Sequence, residues 1–442
     1  MTDTSVFRGK RATYFTLGCK LNFSETATFA RRLEEMGVTT AKAGEKADLV
    51  LVNTCSVTDV ADHKCRQAIN RLRRQNPGAF IVVTGCYAQL SPQAVAAMQG
   101  VGLVLGSDEK ARLTELLAEA WPQSGTTTVV TQKTKDIRTF QPSCSRGNRT
   151  RYFLKVQDGC DYFCTYCTIP FARGFSRNPT IDSLVAQVEK AAEEGAKEIV
   201  LTGVNIGDFG KTTGESFLDL LKRLDGVGPI ARYRISSIEP DLLTDDIIAF
   251  CAESRAFVPH FHIPLQSGSD TVLRLMRRHY DSRLFADKVA RVKQLMPQAF
   301  IGVDVMVGCR GETAACFDET EAFLRSLPVS QLHVFPYSER PGTAALKIEP
   351  KVDEDEKKAR AQRLLRLSEE KTHQFYEANM GRQTTVLFER STRGRAMHGF
   401  TGNYVRTELP ASDASPLLDN QLRTVTLGEW NKDKTALIAT LT

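Results

Sequence analysis

The first quarter of the chain alternates between continuous apolar runs and amphipathic segments. In the amphipathic segments the apolar residues recur at helical spacing, whereas the apolar runs are uninterrupted. Uninterrupted apolar strands between helices are typical of a parallel sheet that is covered on both faces. This part therefore predicts an open parallel α/β sheet. The predicted strands cover residues 12–18, 47–53, 79–85 and 101–106, and the predicted helices cover 24–37, 60–75 and 91–100.

The alternation stops near residue 122 and resumes at Arg151. The polar, threonine-rich stretch 126–145 predicts a linker, although "TTTVVT" inside it fits a short strand. Six strands alternating with helices then predict a partial (βα)6 barrel of the TIM type, in which chemistry lies at the C-terminal ends of the strands. These strands cover 151–157, 198–203, 231–237, 257–263, 299–308 and 331–337.

The last part of the chain has a different pattern. A long charged helix is predicted over 353–381, and short β-rich segments with glycine turns follow it. Such segments are typical of a small closed β-barrel. The expected organisation is an α/β domain (1–125), a linker (126–145), a barrel domain (146–378) and a C-terminal β-barrel (379–442).

The composition and charge of the chain indicate in which compartment the protein acts and what kind of partner it binds. A chain of 442 residues is too long for one ordinary domain, and its net charge of +6 is compatible with a nucleic-acid partner. Neither a long apolar segment nor a signal peptide is present, so we expect a cytoplasmic protein without a membrane partner. In a reducing compartment, eleven cysteines are expected to include metal ligands rather than disulfides.

Three cysteines follow the first predicted barrel strand in "DGCDYFCTYCTIP": Cys160, Cys164 and Cys167. This spacing lets three thiolates meet one face of a cubic 4Fe–4S cluster and leaves the fourth iron open to a small molecule. Zinc is the alternative. Zinc prefers four ligands in two spaced pairs, and the sequence has no second Cys-x2-Cys pair.

Three further cysteines each follow one of the first three predicted strands: Cys19, Cys55 and Cys86. Open α/β sheets build their sites at this edge, where helix N-termini favour thiolates. For any one of them a buried free cysteine is the alternative. Together they predict a second three-ligand cluster with an open iron. The remaining cysteines fit no site and are expected in the core or the linker.

The segment around Cys160 resembles the radical S-adenosylmethionine (SAM) superfamily. The resemblance implies that SAM binds the open iron and is cleaved to a 5′-deoxyadenosyl radical. The segments "TGVNIGDFG", "RISSIEP", "HIPLQSGSD" and "GVDVMVGCRGE" resemble SAM-binding segments at successive strand ends. The last of these departs from the GFPGE that family members commonly carry. The SAM contacts that the resemblance implies are Tyr166, Thr202, Gly203, Ser236, Glu239 and Gln266.

The whole chain resembles the methylthiotransferases, through "GCKLN", "NTCSV", "GCYAQ" and "FPYSERPGT". Its C-terminal part looks like a TRAM domain, and the first motifs are most similar to the MtaB-type tRNA enzymes. The resemblance implies two 4Fe–4S clusters and two SAM molecules per turnover. One SAM would methylate a sulfur on the Cys19/Cys55/Cys86 cluster. The other would yield a radical that activates C2–H of N6-threonylcarbamoyladenosine at position 37 of tRNA.

Other functions stay open at this point. Sister groups of the family act on isopentenyladenosine in tRNA, where the first motif usually reads GCQMN, or on an aspartate of a ribosomal protein. A protein of another class, a non-catalytic RNA-binding protein stapled by metal, also fits the cysteines. As an enzyme the chain would need a flavodoxin-like electron donor and a sulfur source.

The anticodon stem-loop of tRNA is the expected macromolecular partner. Basic side chains would bind its phosphates and an aromatic ring would stack on a splayed base. One basic cluster lies on the predicted helix 60–75, between His63 and Arg74. The predicted RNA-binding residues are Arg146, Arg149, Arg382, Arg395 and Tyr404.

Overall fold

The first sheet confirms the predicted open parallel α/β domain. The computed structural model describes residues 5–121, 125–145, 150–390 and 395–442. All pairings in the first sheet are parallel. Its strands are β1 (Arg11–Thr16), β2 (Thr39–Thr40), β3 (Leu49–Thr54), β4 (Phe80–Gly85), β5 (Val101–Leu105) and β6 (Thr128–Val130), in the order β2-β1-β3-β4-β5-β6. Strands β3 and β4 are buried along their whole length, which explains their uninterrupted apolar sequences.

Two features of this domain differ from the prediction. Strand β6 lies within 126–145 and pairs with β5, so part of the predicted linker belongs to the sheet. The first helix begins earlier than predicted, because Cys19 occupies its N-cap position and the polar residues after it are helical. The helices are α1 (Lys20–Glu35), α2 (Asp59–Gln75), α3 (Cys86–Leu90), α4 (Pro92–Ala96) and α5 (Leu113–Ala120).

The central strands form the predicted partial barrel as an open arc. They are β7 (Arg151–Lys155), β8 (Glu198–Thr202), β9 (Arg232–Ile235), β10 (His260–Gln266), β11 (Phe300–Val307) and β12 (Gln331–Pro336). Strands β7–β9 and β10–β12 make two parallel three-stranded sheets. The bridges Tyr233–Phe257 and Ser237–His262 join the two sheets into one curved wall. Helix α1 of the first domain packs against β7, at one end of the arc.

Helices cover the outside of the arc, and the last one leads to the C-terminal domain. Its Asp353 side chain caps the first turn by accepting from the backbone N–H groups of Asp355 and Glu356, and the helix packs against β12. Within the described ranges, no helix is long and apolar enough to cross a membrane. The helices are α6 (Ile169–Arg173), α7 (Ile181–Glu193), α8 (Phe217–Asp225), α9 (Asp245–Glu253), α10 (Asp270–Leu275), α11 (Ser282–Leu295), α12 (Ala314–Ser326) and α13 (Glu354–Glu377).

The C-terminal strands close into the predicted small barrel. They are β13 (Gln383–Phe388), β14 (Met397–Thr401), β15 (Arg406–Leu409), β16 (Leu422–Trp430) and β17 (Leu437–Leu441), in the order β13-β14-β15-β17-β16. This barrel packs against the N-terminal ends of the central strands. Arg232, at the start of β9, donates to the carbonyl oxygens of Thr385 at 2.6 Å and Phe400 at 3.0 Å. The carboxyl ends of the arc therefore stay free for a site.

Candidate functional site

Cys19, Cys55 and Cys86 meet at the carboxyl edge of the first sheet. Cys19 occupies the N-cap position of α1, Cys55 directly follows β3, and Cys86 directly follows β4. Gly18 makes this approach possible. Its φ is +97°, and an added Cβ would lie 2.8 Å from the Cys55 sulfur. A residue without a side chain is therefore required beside the three thiols.

The thiols of this first trio influence one another. Burial raises the pKa of Cys55 to about 12, and the nearby Cys86 and Cys19 add to the rise. Thiolates at such a place need a compensating positive charge, which a ligated iron supplies. Cys65 lies beside the trio, but its thiol donates to the Cys55 carbonyl oxygen at 3.3 Å. It is buried, as expected for a core cysteine.

Cys160, Cys164 and Cys167 lie in the loop that follows β7. The loop is held in shape by its backbone: Cys160 N–H donates to the Gly174 carbonyl oxygen and Cys167 N–H to that of Cys164, each at 3.0 Å. Burial raises the pKa of Cys160 and of Cys167 to about 12, and the neighbouring thiols contribute to both shifts. The thiols in this loop therefore act on one another electrostatically.

The donor set of both trios fits an iron–sulfur cluster. All six sulfurs are free thiols, which are the ligands such clusters take, and each thiolate of a trio would bind a different iron. Across residues 5–121, 125–145, 150–390 and 395–442, no three His, Cys, Asp or Glu side chains are close enough together to hold a single metal ion.

Arg278 connects the second trio to two of the predicted SAM contacts. Its guanidinium donates to the Cys164 sulfur at 3.1 Å and to the Tyr166 hydroxyl at 3.5 Å, and it forms an ion pair with Glu239. Burial raises the pKa of Glu239 to about 7, although Arg278 opposes the rise. Arg278 itself was missed by the sequence analysis, because it lies 114 residues from Cys164 in a segment without a recognised motif.

The other predicted SAM contacts lie at the ends of neighbouring strands. Thr202 and Gly203 end β8, and the Gln157 side chain ties this turn to the cysteine loop by accepting from the backbone of Val204 at 3.0 Å. A Cβ on Gly203 would lie 2.9 Å from the Gln157 carbonyl oxygen. The remaining two predicted SAM contacts lie at the next strand ends. Ser236 directly follows β9, and Gln266 ends β10 with a φ of +66°.

A buried network of charges joins the two trios. Arg173, on α6, donates to the Asn22 side chain at 2.7 Å and forms ion pairs with Glu25 at 3.1 Å and Asp158 at 3.0 Å. Asn22 in turn donates to the carbonyl oxygen of Thr54 at 3.0 Å. The path therefore runs from the residue before Cys55 to the residue two before Cys160.

Two lysines complete this network. Lys110 pairs with Glu25 at 2.6 Å, and Lys155 pairs with Glu25 at 3.3 Å and with Asp158 at 3.0 Å. Each is at most 3 % exposed. Burial alone would raise the pKa of Glu25, but Arg173, Lys110 and Lys155 together hold it well below its usual range. A charged network at this depth fixes the relative position of its partners rather than solvating a surface.

A second contact holds the edges of the two domains together. Arg340, from the loop after β12, donates to the Ser56 hydroxyl at 2.8 Å and pairs with Asp62 at 2.7 Å. Asp62 also accepts from Ser56 at 2.6 Å. Because Ser56 follows Cys55, this buried contact positions the loop of the first trio from the other end of the arc.

The predicted RNA-binding residues have different outcomes. Arg146 and Arg149 lie outside the described residues, whereas Arg382 and Arg395 are exposed on the C-terminal domain. Tyr404 is not free to stack on a base, so that prediction needs correction. Its ring lies 4.8 Å from the guanidinium of Arg234, and its hydroxyl accepts from Arg151 at 3.4 Å. It belongs to the contact between the C-terminal barrel and the arc.

Other surfaces near the site offer what RNA binding needs. Helix α2 carries the basic cluster, and a groove of about 530 Å³ runs along it, lined by Lys64, Arg71 and Arg74. Three exposed phenylalanines surround the second cysteine loop. The ring centroid of Phe163 lies 6.1 Å from that of Phe171 and 5.9 Å from that of Phe175. These rings are 39 %, 47 % and 42 % exposed, respectively.

Two known families match separate parts of the chain. Residues 11–106 match a family described as "Uncharacterized protein family UPF0004", and residues 154–324 match the radical SAM superfamily. A solved radical SAM methyltransferase, TsrM from Kitasatospora setae, is similar in fold, with a TM-score of 0.56 at 14 % identity. That similarity covers 76 % of this chain and 74 % of TsrM.

Curated relatives match over most of the length. The Bacillus subtilis threonylcarbamoyladenosine tRNA methylthiotransferase MtaB is 37 % identical, over 89 % of this chain and 89 % of the relative. MtaB of Aquifex aeolicus is also 37 % identical, over 85 % of this chain and 92 % of the relative. A tRNA-2-methylthio-N(6)-dimethylallyladenosine synthase of Staphylococcus haemolyticus is 32 % identical, over 87 % of this chain and 77 % of the relative.

Proposed function

The chain belongs to the MtaB-type radical SAM methylthiotransferases, a family of tRNA-modifying enzymes, and from this we propose that it acts on N6-threonylcarbamoyladenosine at position 37. The product would be the 2-methylthio derivative. The enzyme transfers a sulfur-containing group and uses SAM and 4Fe–4S clusters. Two relatives at 37 % identity are named for the threonylcarbamoyl substrate and one at 32 % for the dimethylallyl substrate, which supports the proposed choice.

The observation that carries the proposal is the pairing of two cysteine trios across one buried network. We assign Cys19, Cys55 and Cys86 to one cluster and Cys160, Cys164 and Cys167 to the other. A single trio would serve SAM cleavage alone. Sulfur insertion needs a second cluster held at a fixed distance, and the bonds from Thr54 through Asn22 and Arg173 to Asp158 supply that rigidity.

In the proposed reaction, the residues of this chain bind and orient SAM and the clusters. When bound, the clusters and SAM supply the electron, the radical and the methylthio group. Arg278 orients Glu239 and Tyr166 beside the second trio, where we assign them to SAM binding with Thr202, Gly203, Ser236 and Gln266. The buried Arg340–Asp62 contact holds the loop after β12 against the residues that follow Cys55.

The tRNA would approach the free carboxyl edges of the arc. The basic face of α2 borders the first trio and would neutralise phosphates of the anticodon stem. The rings of Phe163, Phe171 and Phe175 border the second trio and offer stacking surfaces for splayed bases, which are worth about 1–3 kcal/mol per base. Arg382 and Arg395 are assigned to the same RNA from the C-terminal domain.

Anaerobic reconstitution of cysteine variants tests the cluster assignment. The wild-type chain should bind about eight irons and cleave SAM after reduction. Cys164→Ala should lose about half of the iron and all SAM cleavage. Cys55→Ala should also lose about half of the iron but still cleave SAM, without inserting sulfur into tRNA. Sulfur insertion by Cys55→Ala would refute the first cluster, and bound zinc in place of iron would refute both.

A further inference from the structure

Lys20 is a half-buried cation that adjoins the first trio. It directly follows Cys19, is half-buried, and begins α1 where that helix faces the arc. Throughout the described residues, no hydrogen bond or ion pair is found for its ammonium group. Its strongest electrostatic neighbours beyond the cysteine are two cations, Arg234 and Arg151, and one acid, Asp304.

The surrounding charges already have partners. Arg234 pairs with Glu198 at 3.2 Å and donates to the Gly402 carbonyl oxygen at 3.0 Å. Arg151 pairs with Glu389 at 2.9 Å. These two guanidinium groups are therefore held by the arc and the C-terminal barrel, and neither is directed at a substrate.

The single neighbouring acid is also engaged. Asp304 bonds to the imidazole Nε2 of His262 at 2.7 Å, and the ring of His262 stacks on that of His333 at 5.0 Å. Burial lowers the pKa of His333, so that ring adds no positive charge near neutral pH. Lys20 thus remains a cation among cations, without a carboxylate of its own. Such an arrangement is costly unless an anion binds.

We propose that Lys20 binds a carboxylate group of the substrate, and so selects adenosines whose N6 substituent is an acid. The inference rests on the proposed function. The threonylcarbamoyl arm ends in a carboxylate, whereas an isopentenyl arm is apolar and unmodified adenosine has no arm. Lys20 adjoins a ligand of the first cluster, and Asp304, on β11 of the arc, acts electrostatically on its amine. A base placed between the trios would bring its N6 arm within reach of this amine.

Binding of anticodon stem-loops to the full-length, cluster-loaded enzyme tests this. The loops carry threonylcarbamoyladenosine as the free acid, the same group as its methyl ester, or unmodified adenosine. The wild-type enzyme should bind the acid about 10- to 100-fold more tightly than the ester, as expected for a charge-assisted hydrogen bond. Lys20→Gln should lose that preference while binding the ester as before, and Lys20→Arg should keep most of it.

Two controls separate this role from a structural one. Lys46→Gln changes an exposed lysine ahead of β3, at the opposite edge of the sheet, and should leave every affinity unchanged. The visible and EPR spectra of Lys20→Gln should match those of the wild type, and the acid substrate should show a raised KM with little change in kcat. Equal loss of acid and ester binding, or altered cluster spectra, would mean that Lys20 serves the cluster.

The result on the wild-type enzyme separates the two claims. If it methylthiolates threonylcarbamoyladenosine but binds acid and ester equally, the inference about Lys20 fails and the proposed function stands. If it does not methylthiolate that nucleoside at all, the proposed function fails, and the carboxylate inference fails with it.

Discussion

Glu25→Gln is the substitution that tests the buried contact between the first domain and the arc most directly. The change keeps the shape of the side chain and removes its charge. Glu25 accepts from three buried cations: Lys110 at 2.6 Å, Arg173 at 3.1 Å and Lys155 at 3.3 Å. In the variant Lys155 and Arg173 would keep Asp158 as an acid partner, whereas Lys110 would lose its carboxylate.

The expected cost follows from the burial of these groups. Glu25 is 3 % exposed and its partners at most 3 %, so water cannot replace the lost carboxylate. Removing one partner of a buried ion pair costs about 3–5 kcal/mol. That cost lowers the free energy needed for α1 and β7 to open together. Exchange of their backbone amides would therefore be about 10²- to 10⁴-fold faster than in the wild type. Local opening is the useful quantity here, because a multidomain chain does not unfold in two states.

Hydrogen exchange at the amides of α1 and β7 measures this opening. Glu35→Gln is the matched control, because Glu35 is exposed on the same helix. Exchange in this control should equal that of the wild type. Wild-type exchange rates in Glu25→Gln, or equal acceleration in both variants, would refute the reasoning that the network holds the domains together.

The low pKa of Glu25 also predicts how the stability of the contact between the two domains depends on pH. The cations hold the folded pKa of Glu25 below its unfolded value, which lies near 4.3. The stabilising contribution is therefore complete above about pH 4.3 and is lost as pH falls through the lower folded pKa. Protection of α1 and β7 should stay constant from pH 7 to about pH 5. A wild-type chain that loosened between pH 7 and pH 6 would contradict this assignment.

Two further predictions concern the sites themselves. The raised pKa of Glu239, about 7, predicts that SAM affinity improves as pH rises through neutrality, because a carboxylate accepts hydrogen bonds better than its acid. Calorimetry should find that the SAM affinity of Glu239→Gln does not change over the same pH range. Gly18→Ala should halve the iron content, since the new Cβ would lie 2.8 Å from the Cys55 sulfur. Full iron loading of that variant, with circular dichroism as a folding control, would show that the loop can yield.

The position of the first trio at one edge of the sheet was predictable from local sequence because a simple rule repeats there. Each of Cys19, Cys55 and Cys86 follows an apolar strand, and the edge of a parallel sheet brings such positions together. The partial barrel and the C-terminal barrel were predictable for the same reason, since strand period and turn residues are local signals. Strand β6 (Thr128–Val130) lies where "TTTVVT" fits a short strand inside the predicted linker.

The contacts between domains were not predictable. Arg173 and Glu25 are 148 residues apart, and nothing in either neighbourhood marks a buried ion pair. Tyr404 lies in a glycine-containing turn that looked exposed, yet its φ of +66° turns the ring onto Arg234 and His260. Such burial depends on how the domains pack against each other. The spacing of apolar residues along the chain does not show this. The exposed phenylalanines around Cys164 escaped notice because exposure itself is a tertiary property.

Mass spectrometry of tRNA nucleosides is the most direct test of the proposed reaction. A strain that lacks this chain should lose 2-methylthio-N6-threonylcarbamoyladenosine and accumulate N6-threonylcarbamoyladenosine. The wild-type chain should restore the methylthio nucleoside, and Cys55→Ala should not. An unchanged level of 2-methylthio-N6-threonylcarbamoyladenosine in the strain without the chain, or loss of the methylthio-isopentenyl nucleoside instead, would contradict the proposed substrate.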